Sequence, residues 1–225
     1  MTPRHARSRW FAAARLALLA GVLAGCEAPT LARPVFAYDP TSLTGGQLYR
    51  WPSGSTVTVW FIQPNDLTRD VRLAVVNAMR AWNELPLFGE YRLEAAATLA
   101  DANIVVLDQS TTLPVVPAAA CPFDPRGSAG YTYFCPDGSR ALRLAAAGGG
   151  TTRTSVVIRL DIGRTGSQDA LNAVVAHEFG HALGIGGHSP NTQDVMFGVP
   201  TVSVPTSRDA QTLQYLLGER PRFTL

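Results

Sequence analysis

Apart from His5, every histidine of this chain falls in one short stretch, His177-Glu-Phe-Gly-His181-Ala-Leu-Gly184-Ile-Gly-Gly-His188. Imidazoles gathered beside a glutamate constrain the fold more than any other feature, because the rings must converge if they are to act together. On a helix, positions i and i+4 share a face. His177 and His181 can then point at one ion, and Glu178, one residue round, can hold a water bound to it. Gly184 suits a left-handed helix end, which side chains with a Cβ disfavour. Beyond it the chain turns back and presents His188. Three protein ligands with a fourth position open describe a catalytic zinc site rather than a closed structural one. A bare H-E-x-x-H match also arises by chance in unrelated helices. Here residues 169–183 read as an amphipathic helix, with Leu171, Val174, Val175, Phe179 and Ala182 available for packing, and Met196 follows eight residues after His188.

The stretch HEFGHALGIGGHS followed by DVMFG resembles the metzincin zinc peptidases, most closely the matrixin branch. That family carries H-E-x-x-H-x-x-G-x-x-H and then a Met-turn. His177, Glu178, His181, Gly184 and Met196 match it position by position. Ala102-Asn-Ile-Val-Val looks like the family's third strand, and Ser207 to Gly218 looks like its last helix, so the resemblance covers Leu48 to Gly218. There is one departure: three residues, not two, separate Gly184 from His188. Gly187 therefore stands at the usual ligand position. We assign His188 as third ligand and expect Gly186-Gly187 to absorb the extra residue as a bulge. The resemblance implies an α+β, zincin/metzincin-like fold: a mixed twisted sheet with an antiparallel edge strand, a zinc-binding active-site helix and a C-terminal helix. It further implies one catalytic Zn²⁺, Glu178 as general base and proton donor, and Met196 supporting the ligands from beneath. The implied activity is zinc-dependent hydrolysis of peptide bonds within proteins.

The rest of the chain reads in the same order. Thr56 to Ile62 alternates and is rich in β-branched residues, as in a strand. A helix is expected from Asp66 to about Glu84, with Val71, Val75, Ala78, Met79 and Trp82 on one side. Tyr91 to Ala96 and Asn103 to Leu107 read as strands. Gln109 to Thr154 is long and proline-rich, and within it Ala129 to Phe134 is expected to form the antiparallel edge strand. Edge strands leave backbone groups free to pair with an extended peptide. Ser155 to Asp161 is a further strand. Asp161, Asp169 and Asp194 are read as caps, turns or solvated acids.

Residues 1–25 read as an export signal. Arg4, Arg7, Arg9 and Arg15 precede an apolar run from Leu16 to Gly25, too short for a membrane span, which needs about 20 residues. Leu23-Ala24-Gly25-Cys26 resembles the lipobox of bacterial lipoproteins, so Cys26 is expected to carry lipid and anchor the chain at the cell envelope. Residues 26–47 are expected to be an irregular tether, and 48–225 the metallopeptidase domain. Export implies an oxidising compartment, in which Cys121 and Cys135 are expected to form a disulfide closing a loop. From Cys26 onward, fifteen arginines face seventeen acids, a formal charge of −2. Nothing suggests a nucleic-acid surface. The expected partners are a protein or peptide substrate and the membrane, and the chain is expected to be a monomer.

No P-R-C-G-x-P-D switch precedes the domain, so latency by that route is not expected. The histidine supply excludes the second, structural zinc of many matrixins. Structural Ca²⁺ is compatible with the scattered acids, which specify no site. Two other readings stand beside the peptidase: a non-catalytic zinc- or peptide-binding envelope lipoprotein on the same fold, and a structural envelope protein with a coincidental motif. Glu178 separates the first two, since a binder needs no general base. Metal content separates both from the third.

Overall fold

The structure, a computed structural model, describes residues 35–46, 48–62, 69–86, 89–108, 128–134, 156–218 and 223–224. The proposed lipid site Cys26 and the Cys121/Cys135 pair lie outside them. The described residues fall within one unit, Pro34–Leu225. They form an α+β arrangement of a five-stranded mixed sheet and three α-helices. No described helix is long and apolar enough to cross a membrane.

Strands β2 (Ser55–Phe61), β3 (Tyr91–Ala95), β4 (Ile104–Asp108), β5 (Gly130–Phe134) and β6 (Val156–Leu160) make the sheet, in the order β3-β2-β4-β6-β5. All neighbours are parallel except β5, which runs antiparallel to β6 with Thr132 opposite Ile158. The centre of the sheet follows from composition. Ile104 to Leu107 is a continuous apolar run with every residue buried, as in a parallel strand covered on both faces. β2 alternates, and turns Val57 and Val59 fully inward. β5 occupies the edge, as expected from sequence, with no strand on its outer side among the described residues. A short β1 (Tyr49–Arg50) pairs in parallel with β7 (Phe223–Thr224) apart from this sheet.

Helix α1 (Val71–Asn83) begins five residues beyond the expected start at Asp66. Asp70 adopts an extended conformation as N-cap, and its carboxylate accepts from the Leu73 N–H at 2.9 Å, satisfying one of the donors that a helix start leaves unpaired. Val71, Ala74, Val75, Ala78, Met79 and Trp82 are buried, the i, i+3, i+4 stripe of a core-facing helix. Helix α2 (Gln168–Ala182) starts at Ser167, whose hydroxyl accepts from Ala170 N–H. The expectation of an amphipathic helix is corrected here. Every residue from Ala173 to Ala182 is buried, so α2 is a central helix packed on all sides. Indoles complete its polar accounting: Trp82 Nε1 donates to the Ala176 carbonyl at 2.8 Å, and Trp51 Nε1 donates to Ala182 at 3.0 Å. Helix α3 (Ser207–Gly218) buries Asp209, Thr212, Leu213 and Leu216.

The tether expected over residues 26–47 is also corrected, for residues 35–46. Tyr38 is buried, Gln211 Nε2 donates to the Val35 carbonyl at 2.6 Å, and Phe36 meets Tyr215 edge-on at 5.0 Å. This strap lies along α3 as part of the folded unit. The composition of Pro, Thr and Gly that reads as a linker serves tight turns here, with Gly45 and Gly46 at positive φ.

Candidate metal centre

Helix α2 presents His177 and His181 one turn apart, with ring centroids 4.7 Å from each other. A Schellman arrangement ends the helix. Gly184 N–H donates to His181 O at 2.8 Å and Ile185 N–H to Gly180 O at 3.1 Å, with Gly184 at φ 109. This left-handed residue has room only for hydrogen, since a Cβ there would collide with the Tyr49 carbonyl. The chain reverses and brings the His188 ring to 5.1 Å from His177 and 5.3 Å from His181. The ligand atoms of the three imidazoles lie within 4.8 Å of one another, close enough to hold one metal ion.

The rings are prepared for that role. His177 Nδ1 is 2.8 Å from the Val195 carbonyl and His181 Nδ1 is 2.6 Å from the Ile185 carbonyl. A carbonyl only accepts, so each Nδ1 carries the proton and each Nε2 offers its lone pair. Burial lowers the His177 pKa to about 4, against the raising effect of the Val195 bond. Burial lowers His181 too, with the neighbouring His177 adding to it. His188, exposed at the rim, is lowered by partial desolvation. All three are therefore neutral at neutral pH, the form a metal binds. The donor set fits a borderline divalent ion with a position left open.

Glu178 is buried and turns toward β5. Burial pushes its carboxyl up to about 8, opposed by a hydrogen bond from the Thr132 hydroxyl at 2.7 Å. That hydroxyl also lies 3.1 Å from the Glu178 carbonyl. A Cβ at Gly130 would stand 2.7 Å from Val174 Cγ1 and 2.9 Å from Glu178 Oε1, so glycine at this point lets the edge strand close onto the Glu178 carboxyl. Sequence reasoning missed Thr132. Alternation in β5 puts Gly130 and Thr132 on one face, but nothing in the strand says which face meets α2.

Met196 is fully buried, and any side chain at Gly180 would collide with its sulfur. The thioether thus lies against the helical turn between the two ligands. A glycine in mid-helix costs about 1 kcal/mol relative to alanine, and that cost was the readable sign of a close approach at Gly180.

The turn carrying Met196 is anchored by two buried acids. Asp209 accepts from the N–H groups of Val195 at 3.0 Å, Met196 at 3.3 Å and Thr206 at 2.8 Å, and from the Tyr38 hydroxyl at 2.7 Å. Asp194 accepts from Ser189, from Thr206 at 2.7 Å and from Arg208 at 2.9 Å. Burial pushes the Asp194 carboxyl up, but these bonds and the Arg208 charge outweigh it and hold the pKa below its ordinary value. Asp194 thus sits in a turn, one of the roles expected of it, with its backbone bonded to Asn191 and Phe197, but it is fully buried rather than solvated. Asp209 was missed, although its spacing to Thr212, Leu213 and Leu216 put it on the apolar face of α3.

No protein-family model matches the chain, and no curated protein is significantly similar to it.

Proposed function

We propose that the chain is a zinc-dependent endopeptidase of the metzincin type, matrixin-like, exported to a bacterial envelope and anchored by lipid on Cys26. The observation that carries this reading is the convergence of three neutral imidazoles beside a buried carboxyl raised to about 8. Imidazole donors with one position open suit zinc. Zinc bound there would supply Lewis acidity and lower the pKa of water from about 15.7 toward 7.

The chain's own groups do the remaining work. Glu178 accepts a proton from the attacking water and passes it to the leaving amine, as a positioned general acid–base does. Burial keeps that carboxyl out of competition with bulk water. An extended substrate pairs with the outer edge of β5, which carries no strand among the described residues and packs against Glu178 through Gly130 and Thr132. A protein that merely bound zinc or peptide would have no use for a desolvated glutamate between two ligands. Metal analysis of the purified protein, paired with cleavage of an unstructured protein by wild type and Glu178→Gln, tests the reading. One zinc per chain with activity lost only in Glu178→Gln supports it. A metal-free, fully active wild type overturns it.

A further inference from the structure

His177 and His181 owe their placement to α2 and to carbonyl partners on Nδ1. His188 has neither a helix nor, among the described residues, a hydrogen bond to its ring. Its position depends on the backbone on either side. On the far side, Ser189 N–H donates to Met196 O at 2.7 Å, and Ser189 pairs with Phe197. On the near side, the Gly186 carbonyl accepts from Leu43 N–H at 2.7 Å, and Leu43 belongs to the strap.

The two glycines before His188 meet the strap as well. Neither Gly186 nor Gly187 has a positive φ, so conformational freedom is not what they contribute. A Cβ at Gly187 would collide with the Asp39 carbonyl, and one at Gly186 with the Thr44 side chain. The strap runs directly against both, with its backbone at Gly187 and a side chain at Gly186, and leaves no room there for a Cβ. The strap in turn is held shape-first. The Asp39 carboxylate accepts from Thr41 N–H at 2.8 Å and the Thr41 hydroxyl at 2.7 Å, and the Thr41 carbonyl accepts from Thr44 N–H at 3.0 Å. Tyr38 pins it to Asp209, which also holds Val195, the carbonyl partner of His177.

We infer that residues 38–44 act as a positioning element of the metal centre, clamping the one-residue-longer loop so that His188 meets the ion held by His177 and His181. This rests on the metal-centre reading above. The strap supplies none of the three imidazoles; it fixes the loop that carries His188, through the Leu43 N–H on the Gly186 carbonyl and the Asp39 carbonyl against Gly187.

The test is metal affinity, measured by chelator competition on the full chain, with thermal melting of each metal-free variant alongside. Leu43→Pro deletes the N–H that holds Gly186. It should weaken metal binding by about tenfold, as loss of an outer-shell partner does. Leu43→Ala keeps the N–H and the affinity. Tyr38→Phe loosens the same strap from Asp209 and should weaken binding in the same direction. The decisive arm repeats Leu43→Pro in a His188→Ala background, where the loss should vanish because the two act through one ligand. Unchanged affinity in both strap variants overturns the inference, and so does an equal loss with and without His188. If the wild type holds no metal at all, the functional reading itself fails, which is a different result.

Discussion

Two kinds of candidate metal ligand meet at this site. His177 and His181 sit on a helix buried from Ala173 to Ala182, and each has a ring nitrogen tied to a carbonyl. His188 is itself exposed but sits on a loop of buried neighbours, held by a strap some 145 residues earlier in the chain. The first pair is placed by local geometry, since a helix fixes i and i+4 whatever surrounds it. The third is placed by tertiary contacts. A change in the helix pair therefore removes a preorganised donor, whereas a change at His188 removes one whose order already depends on its neighbours.

The largest effect that follows is loss of a helix ligand. His177→Ala or His181→Ala should reduce metal affinity by about 10³-fold or more, because each ligand carries a large share of the binding free energy of such a site. Isothermal or competition titration reads this directly. A loss equal to that of His188→Ala would erase the proposed distinction between the two kinds of ligand.

Next comes Glu178, the proposed base between the two helix histidines. Glu178→Gln should keep the metal and lower turnover by at least about 10²-fold. It should also stabilise the metal-free protein. A glutamate raised from 4.5 to about 8 keeps its proton on folding while the unfolded chain loses it. The folded state then binds more protons, and its stability falls as pH rises between those values. Glutamine removes that penalty, so the variant should gain roughly 2–4 kcal/mol over wild type at pH 8 and little at pH 4.5. Urea melts at the two pH values decide it. A gap that fails to widen with pH would show that the carboxyl is not desolvated in solution.

For the loop ligand, His188→Ala should cost at least about tenfold in metal affinity and less than either helix substitution. Full retention of metal and activity would leave His177 and His181 as the protein ligands and remove His188 from the site.

The same contrast explains what could be read from sequence. Helix ligands, the left-handed Gly184, the edge strand and the central strands all follow from short-range patterns, and the structure places each where those patterns put it. The start of α1 did not, because Asp66 and Asp70 are both acceptable caps and only the fold chooses between them. Strap, Asp209 network and Thr132 depend on residues far apart in the chain. Residues 35–46 have a linker's composition, and their order comes from Tyr38, Leu43 and the glycines they cover rather than from any propensity of their own. Asp209 and Gly180 left weak traces, a carboxylate on an apolar stripe and a glycine inside a helix, each of which signals a packing demand without naming its partner.

The smallest effect concerns a non-local contact made to the helix itself. The Thr132 hydroxyl donates to Glu178 across the space between β5 and α2, so the proposed base is held partly by the strand that is proposed to receive substrate. Thr132→Val keeps the shape and removes the donor. Losing one such bond to a carboxylate is worth about 1–2 kcal/mol, some of it offset because the unpaired carboxylate can take up water. Turnover should fall about three- to tenfold, with KM and metal content unchanged, since neither substrate pairing nor the imidazoles use this hydroxyl. Thr132→Ser, which restores the donor with one methyl fewer, should recover most of the rate. A rise in KM at constant turnover would place Thr132 in substrate binding instead, and equal losses for Val and Ser would mean that the methyl group matters as much as the bond.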